Sequence, residues 1–251
     1  MNYEIGHSFC DYFIMPRSLE IAAKSERRFL PKEKITAFYH PPRSEEIYNN
    51  LKDLLTIKKV NPLTPPFSTH DRNSWYSYYG EKIQLANINC PNIMFLDCDC
   101  LTIHDPSVIW DDDFDVAVMD ATPWKKEHVM SDANFIKGWN KMFENYNKKS
   151  IPFFQTGIIA TKDNIMREIK EEFIELMNED LPIIEPFYPK NEYAFALALS
   201  DKKIKYLGFD IVQEFEWRKK PFFEDIHDWE KDLEPIICHV GSYGLGVKFD
   251  E

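Results

Sequence analysis

Asp97-Cys98-Asp99 closes the apolar run Ile93-Met94-Phe95-Leu96 and opens a second one, Cys100-Leu101-Thr102-Ile103. Carboxylates at i and i+2 of an extended segment face the same side, so both reach one cation. At the C-terminal end of a buried strand, such a pair sits where open α/β sheets keep their ligands. Clustered negative charge is costly unless neutralised, and Mg²⁺ or Mn²⁺ bridging a diphosphate is its natural partner. Other residues able to do chemistry lie within or at the ends of other segments. Lys82 precedes the acidic strand, Asp120 closes Asp115-Val116-Ala117-Val118-Met119, and Gln155 precedes Thr156-Gly157. Glu192 opens a helical stretch, and His239 stands just before Gly241, Gly244 and Gly246. The GxxGxG spacing of those glycines departs from the dinucleotide fingerprint, but their N–H groups suit a phosphate.

The elements that must position these residues alternate along the chain. Strands are expected at Phe9 to Met15, Lys34 to Tyr39, Thr56 to Val60, Ile93 to Leu96, Phe114 to Met119, Phe153 to Thr161, Lys203 to Leu207 and Ile236 to Gly241. Helical spacing marks Arg17 to Leu30, a stretch capped by Ser44, Ser77 to Ile88, Asn134 to Tyr146, a stretch capped by Asp163, and Glu192 to Leu199. Residues 61–74 form a Pro-rich loop followed by Trp75, Tyr76, Tyr78 and Tyr79, which suit stacking on a sugar or base. The alternation predicts one mixed α/β unit over residues 1–251, with a Rossmann-like half to about 120 and a second half from about 121.

Composition narrows the function. The net charge of −12 and the scattered Lys/Arg pairs argue against nucleic acid and against an anionic membrane surface. Five cysteines without CxxC spacing suit reduced, buried thiols. No basic-then-apolar leader and no run of membrane-span length is present, so a cytoplasmic location is expected, with peripheral membrane association still open.

Three chemistries use an acidic pair after a strand. One is a plain solvated turn. Another is the haloacid-dehalogenase type of phosphatase, with Asp97 and Asp99 as nucleophile and acid/base and Asp111-Asp112-Asp113 as its later acidic group. A third is a divalent cation holding a nucleoside diphosphate. Ile93-Met-Phe-Leu-Asp97-Cys-Asp99-Cys-Leu-Thr-Ile-His-Asp105-Pro106 resembles the DxD region of GT-A glycosyltransferases of the family-8 type. Ser18-Leu19, Gly80-Glu81-Lys82, Phe154-Gln155-Thr156-Gly157 and Cys238-His239-Val240-Gly241 resemble that family's other motifs in the same order.

The resemblance implies a GT-A fold and a nucleotide-sugar donor, a UDP-sugar rather than a GDP-sugar, with a glycan or glycoconjugate hydroxyl as acceptor. It implies Mn²⁺ or Mg²⁺ held by Asp97, Asp99 and His239. It also implies donor contacts from Lys82, Asp97, Asp99, Gly157 and Gly241, with Gln155, Glu192 and Asp120 around the reacting sugar. The family's lysine after the late histidine has no counterpart at that spacing; Lys248 is the nearest. A catalytically silent sugar-binding domain of the same fold is the remaining alternative.

Overall fold

The computed structural model describes residues 2–10, 15–40, 49, 51–64, 75–120, 133–181, 190–208, 210–214 and 236–239. In chain order the strands are β1 (Tyr3–Cys10), β2 (Ile35–His40), β3 (Thr56–Lys59), β4 (Asn92–Leu96) and β5 (Cys100–Thr102). They continue as β6 (Val116–Asp120), β7 (Phe154–Thr161), β8 (Ile204–Leu207), β9 (Val212–Glu214) and β10 (Ile237–His239). The α-helices are α1 (Met15–Glu26), α2 (Ala133–Asn145), α3 (Ile165–Asn178) and α4 (Lys190–Ala198).

Seven strands form one mixed sheet in the order β3-β2-β1-β4-β7-β6-β8. β7 runs antiparallel to both neighbours, and the other pairs are parallel. A smaller sheet, β5-β10-β9, stands beside it. Alternation along the central strands divides the core between the two faces. Ile93, Phe95, Val116, Val118 and Ile159 pack on one side with α2, α3 and α4. Met94, Leu96, Ala117, Met119, Ile158 and Ala160 pack on the other, around Trp110 and Phe114.

The first strand lies earlier than the periodicity of Phe9 to Met15 suggests. β1 starts at Tyr3, and Met15 already belongs to α1. The cause is a polar residue on its buried face, since Tyr3, Ile5, His7 and Phe9 are all buried. At Gly6 of the same strand, a Cβ would meet Leu85 and Ile88 at 3.0 Å.

The stretch expected as a helix over Ser77 to Ile88 is 3₁₀ from Trp75–Asn87. Its three-residue repeat lines up polar side chains: Gln84 donates to Glu81 (2.8 Å) and Asn87 to Gln84 (2.9 Å). Lys82, Leu85 and Ile88 follow the same spacing and are buried. Glu81 ties down the start of the Pro-rich loop, accepting from Leu63 N (2.9 Å), Thr64 N (2.8 Å) and Thr64 Oγ1 (2.7 Å).

The helix cap expected at Asp163 belongs to Asn164, in the left-handed region at φ 50°. Its amide donates to Ile88 O (2.9 Å) and leaves the cap unmade. Most of the stretch after Ser44 lies outside the described residues, although Leu51 and Leu55 at its end are buried. None of the described helices is long and apolar enough to cross a membrane.

Candidate metal and donor site

β1 feeds β2 and β3 to one side, while β4 and its partners lie on the other, so the strand order reverses between β1 and β4. Ligands of open α/β sheets bind in the crevice at the carboxyl ends of such a pair. β4 and β6 point the same way and β7 opposes them. The C-terminal ends of β4 and β6 and the start of β7 therefore share one edge, which gathers Asp97, Asp120 and Gln155.

The acidic pair lies on a turn. β4 ends at Leu96, and Cys100 N bonds back to Asp97 O (3.0 Å). The extended geometry expected for Asp97-Cys98-Asp99 is thus corrected: those residues reverse the chain so that β5 can join the second sheet. The two carboxylates take different partners. Asp97 Oδ1 pairs with Lys82 Nζ at 3.0 Å, and Asp99 Oδ1 with His239 Nε2 at 3.2 Å.

Lys82 is only 3% exposed. Besides Asp97, its ammonium donates to Thr156 O (2.8 Å) and Thr156 Oγ1 (3.1 Å), which occupies its three N–H donors. Its Nζ also lies 4.7 Å from the centroid of the Phe95 ring. Asn191, opening α4, donates to the same Thr156 Oγ1 (3.1 Å). Thr156 sits where the β6–β7 register jumps, from Val118 opposite Ile159 to Met119 opposite Gln155.

His239 reaches Asp99 through the second sheet, in which β10 runs antiparallel to β5 with His239 opposite Cys100. β5 is itself fastened to α1. Arg28 donates to Thr102 O and to Ile103 O (3.0 Å), and Thr102 N donates to Ser25 Oγ (3.0 Å). Burial works against the Asp99 carboxylate, but the charge and hydrogen bond of His239, then Lys82, outweigh it and hold its pKa below the usual range.

Gly157 fills the space between these groups. A Cβ there would stand 3.1 Å from Asp97 Oδ2 and 3.2 Å from His239 Cε1. The donor atoms of Asp99, Cys100 and His239 lie within 4.8 Å of one another. Burial, then Asp99 and Asp97, push the Cys100 thiol well up, and it donates to Gly157 O (3.8 Å). A carboxylate oxygen suits Mn²⁺ or Mg²⁺, an imidazole nitrogen suits Mn²⁺ better than the harder Mg²⁺, and a soft sulfur suits neither. The residues present fit such a cation. Asp97 stands beside this cluster, turned to Lys82, with Oδ2 facing Gly157 and His239.

Glu192 is buried at the start of α4, next to Asn191. Gln155 Oε1 and Asn191 Oδ1 are buried with no hydrogen-bond partner among the described residues. Asp120 ends β6 and raises the pKa of Tyr206, on which burial acts more strongly. Gly241 and Lys248 lie outside the described residues, as do the side chains of Trp75, Tyr76, Tyr78 and Tyr79. Asp111-Asp112-Asp113 precedes β6 and so lies at the opposite end of the sheet, with Asp112 paired to Lys205 and Asp113 to Lys203. Sequence reasoning missed Thr156 and Asn191 as links between Lys82 and α4, and it missed His7. The signal for His7 was a histidine on the inward alternation of an otherwise apolar strand.

No family model and no curated protein sequence matches this chain. Solved structures do. The galactosyltransferase LgtC, solved with donor and acceptor sugar analogues, superposes with a TM-score of 0.61 at 15% identity, covering 95% of this chain and 87% of LgtC. The fold is GT-A. The bifunctional glycosyltransferase WbbM matches with a TM-score of 0.58 at 12% identity, over 95% of this chain and 45% of its own. Mouse xyloside xylosyltransferase 1 matches with 0.53 at 11% identity over 100% of both chains.

Proposed function

We propose that this chain is a metal-dependent glycosyltransferase, moving a sugar from a nucleotide-sugar donor, a UDP-sugar, to a hydroxyl of a glycan or glycoconjugate. The observation that carries the proposal is the meeting of Asp99 with His239, about 140 residues apart, on a turn at the strand-order reversal of a GT-A fold. Asp99 and His239, with Asp97 beside them, are the residues that would hold Mn²⁺ or Mg²⁺. The cation would neutralise charge developing on a departing diphosphate. Lys82 holds Asp97 in place. Gln155, Glu192 and Asp120 line the sugar side, where Glu192 can accept a hydrogen bond or a proton from an acceptor hydroxyl. Gly157 and Gly241 complete the proposed donor contacts. We read residues 1–251 as one GT-A unit with a nucleotide half to about 120, acting in the cytoplasm or at a membrane surface.

The phosphatase alternative loses its later acidic group, because Asp111-Asp112-Asp113 is paired at the far end of the sheet. Thermal unfolding tests the proposal. Mn²⁺ with UDP at a hundredfold Kd stabilises by about 2.7 kcal/mol, a rise of roughly 5–10 °C for a chain of this size. Asp99→Asn removes that rise. Absence of a shift in the wild type with UDP or GDP and either cation overturns the proposal, and acid-labile phosphate on Asp97 after mixing with a phosphomonoester restores the phosphatase.

A further inference from the structure

The C=O of Leu96 and the N–H of Asp97 belong to one peptide unit, and both ends of it are held. Asp97 N donates to Gly157 O on β7 at 2.8 Å. On the other side, the parallel β1–β4 ladder stops at Gly6 opposite Phe95, one residue short. There the Leu96 carbonyl receives the imidazole of His7, with Nδ1 at 2.8 Å. A carbonyl only accepts, so Nδ1 carries the hydrogen. The other ring nitrogen, Nε2, lies 3.0 Å from Glu26 Oε2 at the end of α1, and both side chains are 0% exposed.

We infer that His7 is a positioning residue: locked by Glu26, its ring takes the place of the missing ladder bond and fixes the peptide from which the acidic turn departs. A buried His–Glu pair is an expensive way to fill a core, because both groups need partners when removed from water. Here the pair reaches the single carbonyl before Asp97, where β1 and β4 separate to open the crevice. A register error at that peptide moves Asp97 away from Lys82 and Gly157. The functional meaning of this contact depends on the acidic turn being the metal and donor site proposed above; the contact itself does not.

Two substitutions separate the halves of the contact. The amide nitrogen of an asparagine falls near Nδ1 of the histidine it replaces, and that of a glutamine near Nε2. His7→Asn keeps the donor to Leu96 and loses Glu26; His7→Gln does the reverse. Either change breaks the buried pair, so hydrogen exchange over residues 96–100 of the unliganded full chain is expected to quicken in both variants, roughly tenfold more in His7→Gln than in His7→Asn. Mn²⁺ affinity, titrated with the metal alone, follows the same order. Equal exchange in both variants overturns the inference. If neither variant folds, long-range ¹H–¹⁵N spectra of wild-type His7 decide. A proton held on Nδ1 supports it, and a bare Nδ1 overturns it. A wild type that binds no Mn²⁺ counts against the glycosyltransferase proposal and leaves the exchange contrast intact as the test of this one.

Discussion

Gly157 contributes to the site by what it lacks. With a Cβ 3.1 Å from Asp97 Oδ2 and 3.2 Å from His239 Cε1, Gly157→Ala forces both groups back by a few tenths of an ångström. The expected result is a tenfold or greater loss of Mn²⁺ affinity by titration calorimetry, with about 1–3 kcal/mol of stability lost in urea unfolding. Lys82→Met leaves Asp97 and Thr156 without their buried donor and is expected to cost about 3–5 kcal/mol in the same measurement. At this scale the sequence singled out residues and said little about what they touch. Order along the chain singled out Lys82, Asp97, Asp99, Gln155 and His239. It carried no sign that Lys82 has all three protons engaged by protein, or that Asp97 and Asp99 part company on a turn. Those facts depend on tertiary partners such as Thr156, whose hydroxyl looks like any other in the sequence.

Among the elements, long periodic stretches were the readable ones. α2 and α3, with Phe135, Trp139, Met142 and Phe143 on one stripe and Met166, Ile169, Phe173 and Leu176 on the other, lie within a residue or two of where spacing puts them. Of the short strands, β3, β8 and β10 were readable, and β5 and β9 were not. β5 and β9 have three residues each, too few for a period, and exist because β10 pairs with both. β1 was displaced because His7 breaks its apolar alternation, and that same residue couples α1 to β4. Burial by itself would strip the His7 proton, but the charge and hydrogen bond of Glu26, then the Leu96 carbonyl and the charge of Asp97, outweigh it and raise the pKa above 6.5. A raised histidine stabilises fully below the unfolded pKa of about 6.5, and the effect fades as pH rises through the folded value. The stability gap between wild type and Glu26→Gln is therefore expected to widen as pH falls from about 9 to 5.5, measured by urea unfolding. A gap independent of pH contradicts the ion pair.

For the molecule as a whole, the fold class was legible and the strand order was not. Alternating elements indicate a mixed α/β sheet, but nothing local in Phe154 to Thr161 says that this strand will insert antiparallel between β4 and β6. Charge is a property of this scale as well. At −12 the chain repels itself, and its exposed ion pairs contribute little against that. Raising NaCl from about 20 to 500 mM is expected to raise the midpoint of thermal unfolding, and a falling midpoint shows that the salt-sensitive pairs dominate instead. The pairing of β10 with β5 also orders events in time. Asp99 is synthesised about 140 residues before His239. At roughly 5–20 residues per second the ribosome spends on the order of ten seconds between them. Throughout that interval the growing chain carries the acidic turn without its histidine, so the proposed cation site is complete only after His239 has been made and β10 has paired with β5.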